Sequence, residues 1–502
     1  VALRRALDQF NIPASSLPWV RTIHSAAFRL LRLDHDHVLD ADNITEFARL
    51  HGYKLTIEGR GIDDPKECAL ARGRTADDQL MFAYEWGRNH RLDPERTLAR
   101  CPVEGLSVSK FRLFARRLEG FKRERGLLDF VDILQCVLDR GLRPDVDVAM
   151  VDEAHDLSPL QIAVVEAWFA PCKRSFVCAD DDQAIFGWHG ASPDWIRAIS
   201  ERCESEVLET SHRVPRRVHA LAQKIIARNR VRMPKRYWPA DREGRVVRCG
   251  LDQALGLVAA SPSAFVLVRN RKFIRRIAAK LVERVVPFRV VGWGGTGPLD
   301  DPRAARAVQL VWRLRRGESG PFPTSQVAAL LSLVPTSTGL VPKGVVDHVR
   351  ALRGHGAFMR SHLIEQHGLV ELLHRVDADG VELLRKLPRE WRRYFAGLHE
   401  QFGRIPEHAA TVTTIHVAKG DERDLVVVIP DMTRQTYAAY LRGGSERNEG
   451  ENRAFYVAIT RTRETLVLVQ PLTKRYFEFP TVDVDPRDVA DLGGGKRDGG
   501  PA

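Results

Sequence analysis

Asp147-Val148-Ala149-Met150-Val151-Asp152-Glu153-Ala154-His155-Asp156 is the stretch on which the fold turns. A short apolar run bounded by charge reads as a buried strand, and this one ends in paired carboxylates. The same grammar returns at residues 175–178, which lead into Asp180-Asp181-Asp182-Gln183. Strands separated by helical segments, with polar residues at their C-terminal ends, are what a parallel α/β sheet requires. Ligands of such sheets bind just beyond those ends.

Reading outward, residues 19–24 suggest a short strand, with Ser25 placed to cap a helix that carries Phe28, Leu30 and Leu31. A polar helical stretch continues to about Arg125. Further along, residues 264–268 and 287–291 read as strands flanking a basic helix at 272–283. Residues 321–400 are helical in pattern and lack strand signals, and the sheet pattern resumes at 411–416, 425–429 and 465–469. A helical block inserted into a second α/β domain follows from that order.

Bulk properties bound the problem. At 502 residues the chain is too long for one core, so two or more domains are expected. Hydrophobic content of 44% and charged content of 28% describe an ordinary globular protein. No apolar run approaches the roughly 18 residues a bilayer crossing needs, and no signal-peptide pattern opens the chain; a cytoplasmic location is the expectation. Net charge of +12 fits a polyanionic partner, although charge alone predicts only sequence-independent attraction. The seven cysteines show no CxxC spacing, which argues against a zinc ribbon or an iron–sulfur cluster and for thiols in a reducing compartment. No repeat is evident, and the only low-complexity stretch is 492–502.

Phosphoryl transfer needs an oxygen ligand for Mg²⁺ and a base that orients the attacking water. The pair Asp152-Glu153 supplies both, Asp152 for the metal and Glu153 for the water; an acidic surface turn is the competing reading of this pentapeptide. The amide of Gln183, at the next strand end, can touch both a γ-phosphate and that water. The basic helices around Arg112 to Arg125 and Arg269 to Arg276 could track a nucleic-acid backbone, yet charged residues on helix faces are more often simply solvated.

Six blocks then fall in a fixed order: Thr22-Ile23-His24-Ser25, Leu128-Asp129-Phe130, Val151 to Asp156, Asp180 to Gln183, Ser211-His212-Arg213, and Thr414-Ile415-His416 through Gly420, closed by Tyr456 to Arg463. Together they resemble the motor of UvrD/Rep-type superfamily 1 DNA helicases from the third motif onward. The resemblance implies an α/β fold of two RecA-like parallel-sheet domains in tandem, each with a mainly helical insertion. The expected boundaries are 1–40 and 123–204 for the first domain with its insertion at 41–122. The second domain takes 205–316 and 405–475 with its insertion at 317–404, and 476–502 form a tail.

The resemblance also carries roles onto matching positions. Arg213 and Arg461 become the guanidinium groups on the γ-phosphate. His212 stands where relatives stack an aromatic on adenine, and Glu422 where they carry a glutamate associated with the ribose. Here the usual Gly-Leu-Glu-Phe reads Gly420-Asp421-Glu422-Arg423, with two apolar positions charged. DNA contact falls to Thr22, His24, Phe186, Trp188, Thr414 and His416, with Phe186 and Trp188 as base-stacking rings whose alternative is a place in the core. Lys419 could meet a phosphate or a carboxylate. His155 replaces the more usual glutamine, with a neutral hydrogen-bonding role or a pH-sensitive one.

ATP and Mg²⁺ are the implied cofactors, single-stranded DNA and duplex junctions the implied partners. The implied activity is 3′-to-5′ ATP-dependent unwinding in repair, recombination or replication. The family's opening phosphate loop, and the motif after it, are not among the motifs found. Gly292 to Gly297 lacks the Gly-Lys-Ser/Thr ending, and Gly493-Gly494-Gly495-Lys496 runs into Arg497. A misassigned start, an interrupted gene or a second polypeptide supplying the segment is the expectation. The rival readings are a noncatalytic DNA-binding subunit and a translocase that displaces proteins without unwinding.

Overall fold

The computed structural model describes residues 13–481 except 14–15, 57–74, 102, 104, 188–189, 192, 293–296, 343, 352–356, 366, 408 and 443–444. The helix-like Ala2 to Leu7, most of the glycine run at 292–297 and the tail at 492–502 lie outside the described residues. The chain divides into two compact units, Val1–Val207 with Val231–Lys235, and Leu208–Arg230 with Arg236–Ala502. No described helix is long and apolar enough to cross a membrane.

In the first unit, β1 (Val148–Val151) and β2 (Arg174–Val177) pair in parallel, with Met150 opposite Phe176. Sequence periodicity predicted a buried strand at β1; instead Met150 is 71% exposed and Val148 50%. An apolar run marks a strand but not the number of layers that cover it. Register partners in a parallel pair lie on one face, so Val148, Met150 and Phe176 share a face that no described element covers fully. The helix Pro159–Phe169, started by a Ser158–Gln161 capping box, packs against β1.

A second correction concerns the N-terminal block. Residues 19–24 do not form a strand: the helix Ile23–Leu31 begins there, and its cap is Thr22, whose hydroxyl accepts the Ser25 N–H at 3.2 Å. Both hydroxyls are competent caps; the one three residues before a free N–H wins. That helix buries Ala27 against the helix Phe130–Asp139, whose Val131, Leu134 and Val137 recur at helical spacing.

The helices Ala41–His51, Ala76–Asn89, Pro94–Arg100 and Val108–Arg125 build a separate apolar core around Phe47, Phe114 and Leu118. A buried charge network ties them to the Leu128-Asp129-Phe130 block. Lys122 Nζ, almost fully enclosed, lies 2.7 Å from Asp129 Oδ2 and 2.6 Å from Asp132 Oδ2, and Arg88 Nη1 lies 2.6 Å from Asp129 Oδ2. Asp129 and Asp132 also close a capping box on the helix they begin. Charges this buried persist only because each is paired and hydrogen-bonded.

The second unit is organised on a parallel sheet whose strands are β3 (Arg245–Cys249), β4 (Ala264–Val268), β5 (Phe288–Val290), β8 (Ala410–Thr414), β9 (Arg423–Ile429) and β10 (Thr462–Val469). Their order across the sheet is β3-β10-β9-β4-β8-β5. Its centre is enclosed: all five residues of β4 are buried, as parallel sheets demand. The strand β3 was missed by sequence reading, because Arg245 and Arg248 interrupt its apolar pattern. Among the described residues between β5 and β8 the chain is helical, with one two-residue antiparallel pair, β6 (Phe322–Pro323) and β7 (Ala357–Phe358), that carries no sequence signal. Leu310, Leu330 and Leu372 from these helices share one continuous core with Val266 and Val427 of the sheet.

Candidate functional site

In the first unit the site grows from two neighbouring strand ends. Asp152 and Glu153 follow β1 directly and both are exposed. Glu153 adopts φ 52° and ψ 35°, a left-handed conformation that costs a side-chain-bearing residue of order 1–3 kcal/mol. The Glu153 N–H donates to Asp152 Oδ1 at 2.9 Å, which ties the Asp152 carboxylate to the turn. Asp180 to Gln183 follow β2 in the same way. The pairing of the two strands runs on into these loops, with the Ala154 N–H donating to the Cys178 carbonyl at 3.0 Å. The candidate water-orienting carboxylate and the candidate sensing amide thus sit on adjacent loops.

The three aspartates are not a bare acidic patch. Arg232 donates to Asp182 through Nε and Nη2 at 3.0 and 2.6 Å. Lys235 Nζ meets Asp180 at 3.1 Å, Asp182 at 2.9 Å and Asp181 as well, and the Met233 N–H donates to Asp181 Oδ2 at 2.8 Å. Burial pushes the Asp180 carboxyl up, but the Lys235 ammonium and the hydrogen bond from Gln183 Nε2 (2.7 Å) outweigh it, and the net shift is downward. Burial works against the Lys235 ammonium too, yet the three aspartates hold its pKa well above the ordinary lysine range. Neither Arg232 nor Lys235 was singled out in the sequence; more than forty residues separate them from the aspartates, and nothing local marks the pairing.

The candidate DNA residues of this unit are less uniform. Thr22 is exposed, and its hydroxyl is engaged as the cap described above. His24 is half-buried with its ring edge-on to Phe130 at 5.5 Å. Phe186 is buried at 5% exposure, so its ring belongs to the packed interior as the structure stands. Trp188 lies outside the described residues.

In the second unit, Ser211 Oγ accepts the Val214 N–H at 3.0 Å and fixes the turn that presents His212 and Arg213. These two line an open cavity of about 330 Å³ together with Arg242, Glu422, Asp424, Arg463 and Glu464. Glu422 is its hub. Arg463 Nε donates to Glu422 Oε1 at 2.9 Å, and Arg213 Nη1 lies 3.5 Å from Glu422 Oε2. Partial burial raises the Glu422 carboxyl, the Arg463 hydrogen bond and the two guanidinium charges lower it, and the cations prevail.

Arg461, the other expected phosphate ligand, is placed differently. Its side chain is 1% exposed and does not line the cavity. Nε donates to the Val457 carbonyl at 3.0 Å and Nη2 to Thr460 Oγ1 at 3.2 Å. The structure therefore brings Arg213 together with Glu422 and Arg463, a residue that ends the closing block but to which the sequence reading gives no role. Its signal was available: a second arginine two positions after Arg461. Thr414, His416 and Lys419 are likewise buried, at 3%, 2% and 5% exposure.

Comparison with known proteins bears on both units. Residues 3–204 match the family model of the UvrD/REP helicase N-terminal domain, and residues 398–471 that of the UvrD-like helicase C-terminal domain. The ATP-dependent DNA helicase UvrD2 of Mycobacterium tuberculosis is 26% identical over an alignment covering 94% of this chain and 70% of that protein. The ATP-dependent DNA helicase PcrA of Leuconostoc citreum is 24% identical over 55% of this chain and 39% of its own length. DNA helicase II of Escherichia coli is 24% identical over 58% and 43%. The chain thus spans well under half of two of these relatives and about two thirds of the third. Two strand-end loops bearing the carboxylate pair and the glutamine, a second unit that brings Arg213 to Glu422, and matches to both halves of one helicase family lead to one conclusion: the chain belongs to the UvrD/Rep-type superfamily 1 helicases.

Proposed function

We propose that the protein is an ATP-driven DNA motor that moves 3′-to-5′ on single-stranded DNA and opens duplex junctions in repair, recombination or replication. The observation that carries this reading is the juxtaposition of Glu153 and Gln183 on adjacent loops past two hydrogen-bonded parallel strands, with Glu153 held in a left-handed conformation. A non-glycine residue keeps such a conformation only where the surrounding structure holds it there, and functional turns are among those places. In this reading Glu153 orients and deprotonates the attacking water, and Gln183 distinguishes tri- from diphosphate. Arg213 stabilises charge on the transferring phosphoryl, as does Arg461 once its guanidinium leaves the enclosed position, and His212 and Glu422 hold the nucleoside.

Asp152 fits a Mg²⁺ ligand on chemical grounds. It is an exposed, hard oxygen donor at a strand end, suited to a cation that keeps much of its water. The ion would offset charge on the phosphates. DNA contact is assigned to Thr22, His24, Phe186, Trp188, Thr414 and His416, of which Phe186, Thr414 and His416 need a rearrangement to reach a nucleic acid.

The test is ATP hydrolysis by the full-length gene product with and without single-stranded DNA, beside strand displacement on 3′- and 5′-tailed duplexes. Stimulated turnover with unwinding of the 3′-tailed substrate alone supports the proposal. Turnover without displacement moves the reading to a protein-stripping translocase, and DNA binding without turnover to a noncatalytic subunit.

A further inference from the structure

The ring of His155 joins the two strand-end loops, and its geometry fixes which nitrogen does what. The Asp180 N–H donates to His155 Nδ1 at 3.0 Å. A backbone amide can only donate, so Nδ1 carries a lone pair and the ring proton sits on Nε2. Nε2 lies 3.1 Å from Glu153 Oε2 and 3.7 Å from Asp156 Oδ1, and the ring is 2% exposed. On its far side, Asp180 Oδ2 accepts the Gln183 side-chain amide at 2.7 Å. Glu153, His155, Asp180 and Gln183 therefore form one chain of polar contacts across both loops.

The same tautomer decides against a metal here. Glu153, His155 and Asp156 could each point a ligand atom inward within 4.8 Å of the others. Imidazole binds a cation through a lone pair, however, and the nitrogen facing the carboxylates is the protonated one.

We propose that His155 is a positioning residue for Glu153: its Nε2 lies against one carboxylate oxygen, fixes the side chain's direction, and ties that direction to the loop bearing Gln183. This rests on the reading of Glu153 as the water-orienting base. A glutamate on a strained, exposed turn has freely rotating side-chain bonds, and a misplaced base loses rate steeply, on the order of a hundredfold for 1 Å. A buried ring anchored by the neighbouring loop removes that freedom. Movement of the Gln183 loop would draw on the Asp180 N–H, and through the ring on Glu153, so the base and the sensing amide shift together.

A glutamine side chain has an oxygen to accept the Asp180 N–H and an amide to donate to Glu153, so it can replace both contacts; leucine can replace neither. The experiment measures DNA-stimulated ATP turnover of the full-length gene product as wild type, His155→Gln, His155→Leu, Glu153→Gln and the Glu153→Gln/His155→Leu double variant. Expected for His155→Leu is a kcat about a hundredfold lower with KM for ATP unchanged. His155→Gln restores turnover to within about tenfold of wild type, and His155→Leu has no further effect once Glu153→Gln is present. An undiminished kcat in His155→Leu, or losses that multiply in the double variant, overturns the proposal while Glu153→Gln remains inactive. Full turnover in Glu153→Gln instead removes the underlying assignment of the base. Should His155→Leu fail to fold, judged by its thermal melt, His155→Asn takes its place. That side chain is too short to span both loops, so it is expected to be slow, and wild-type turnover in it counts against the proposal. Nitrogen-15 shifts of the His155 ring, assigned by their loss in His155→Gln, give a direct check. A protonated Nδ1 with a bare Nε2 contradicts the geometry.

Discussion

Arg232 and Asp182 form a two-point ion pair around a carboxylate that has no exposure to solvent. The arginine comes from Val231–Lys235, a five-residue segment that belongs to the first unit although the chain on either side belongs to the second. With Lys235 it offsets two of the three charges on the consecutive aspartates and so holds the loop that ends in Gln183. Removing one partner of a buried pair leaves a charge uncompensated, at about 3–5 kcal/mol in an enclosed site; Lys235, still near Asp182, keeps the loss toward the low end. Arg232→Ala is expected to lower the unfolding free energy of the first unit by about 3 kcal/mol, read as a lower denaturant midpoint at unchanged slope. Arg232→Lys recovers part of that, because a point charge cannot supply two parallel donors. No change in the midpoint would mean that the pair is not buried in solution.

Asp180 sets an acid limit. Its folded pKa lies below the ordinary 3.8, so the unfolded chain takes up its proton first as pH falls. The stability this carboxylate contributes is fully present above about pH 4 and is lost as pH drops through the depressed folded value. Denaturation of wild type and Asp180→Asn at pH 6, 4 and 3 reads this out. Wild type loses stability steeply between pH 4 and 3, while the asparagine variant, less stable at pH 6, shows a shallower slope over the same step. Parallel slopes would falsify the assignment.

The turn at Glu153 predicts a separation of stability from activity. Glycine occupies left-handed backbone freely, whereas any L side chain there is strained by roughly 1–2 kcal/mol. Glu153→Gly and Glu153→Ala both lose the carboxylate and its contact with His155, so the difference between them isolates the backbone. Both are expected to be inactive in ATP turnover, with the glycine variant the more stable by about 1 kcal/mol in thermal or chemical melts. Equal stabilities would show that position 153 is not held left-handed in solution.

What could be read from the sequence, and what could not, divides along physical lines. The ends of β1 and β2 were legible because an apolar run stopped by carboxylates has few other meanings, and β4 and the 425–429 run of β9 were legible because strand segments buried on both faces are apolar throughout. The covering of β1 was not, since Met150 and Val148 look the same whether a layer lies over them or solvent does. Arg232 and Lys235 were hidden among 77 basic residues, where only tertiary structure selects the pair that meets Asp180 to Asp182. Motif matching located Phe186, Thr414 and His416 along the chain but carried no information on side-chain exposure, and all three are buried.

Arg461 and Arg463 set motif position against geometry. The motif puts Arg461 on the γ-phosphate; the structure encloses its guanidinium, bonded to Val457 and Thr460, and gives the cavity to Arg463. An enclosed arginine leaves unsatisfied acceptors when truncated, so Arg461→Ala is expected to destabilise the second unit by about 1–3 kcal/mol in addition to any loss of turnover. Arg463 is nearly half exposed and its partner Glu422 keeps water nearby, so Arg463→Ala should leave the melt within about 0.5 kcal/mol of wild type. Its effect belongs instead to the nucleotide: with one of the two cations flanking Glu422 gone, KM for ATP should rise about three- to tenfold while kcat changes little. Melts and steady-state kinetics of the two variants together decide which arginine is structural. If Arg461→Ala melts like wild type but loses turnover about a thousandfold, its guanidinium leaves the enclosed position in the working state, and the motif placement prevails over the geometry seen here.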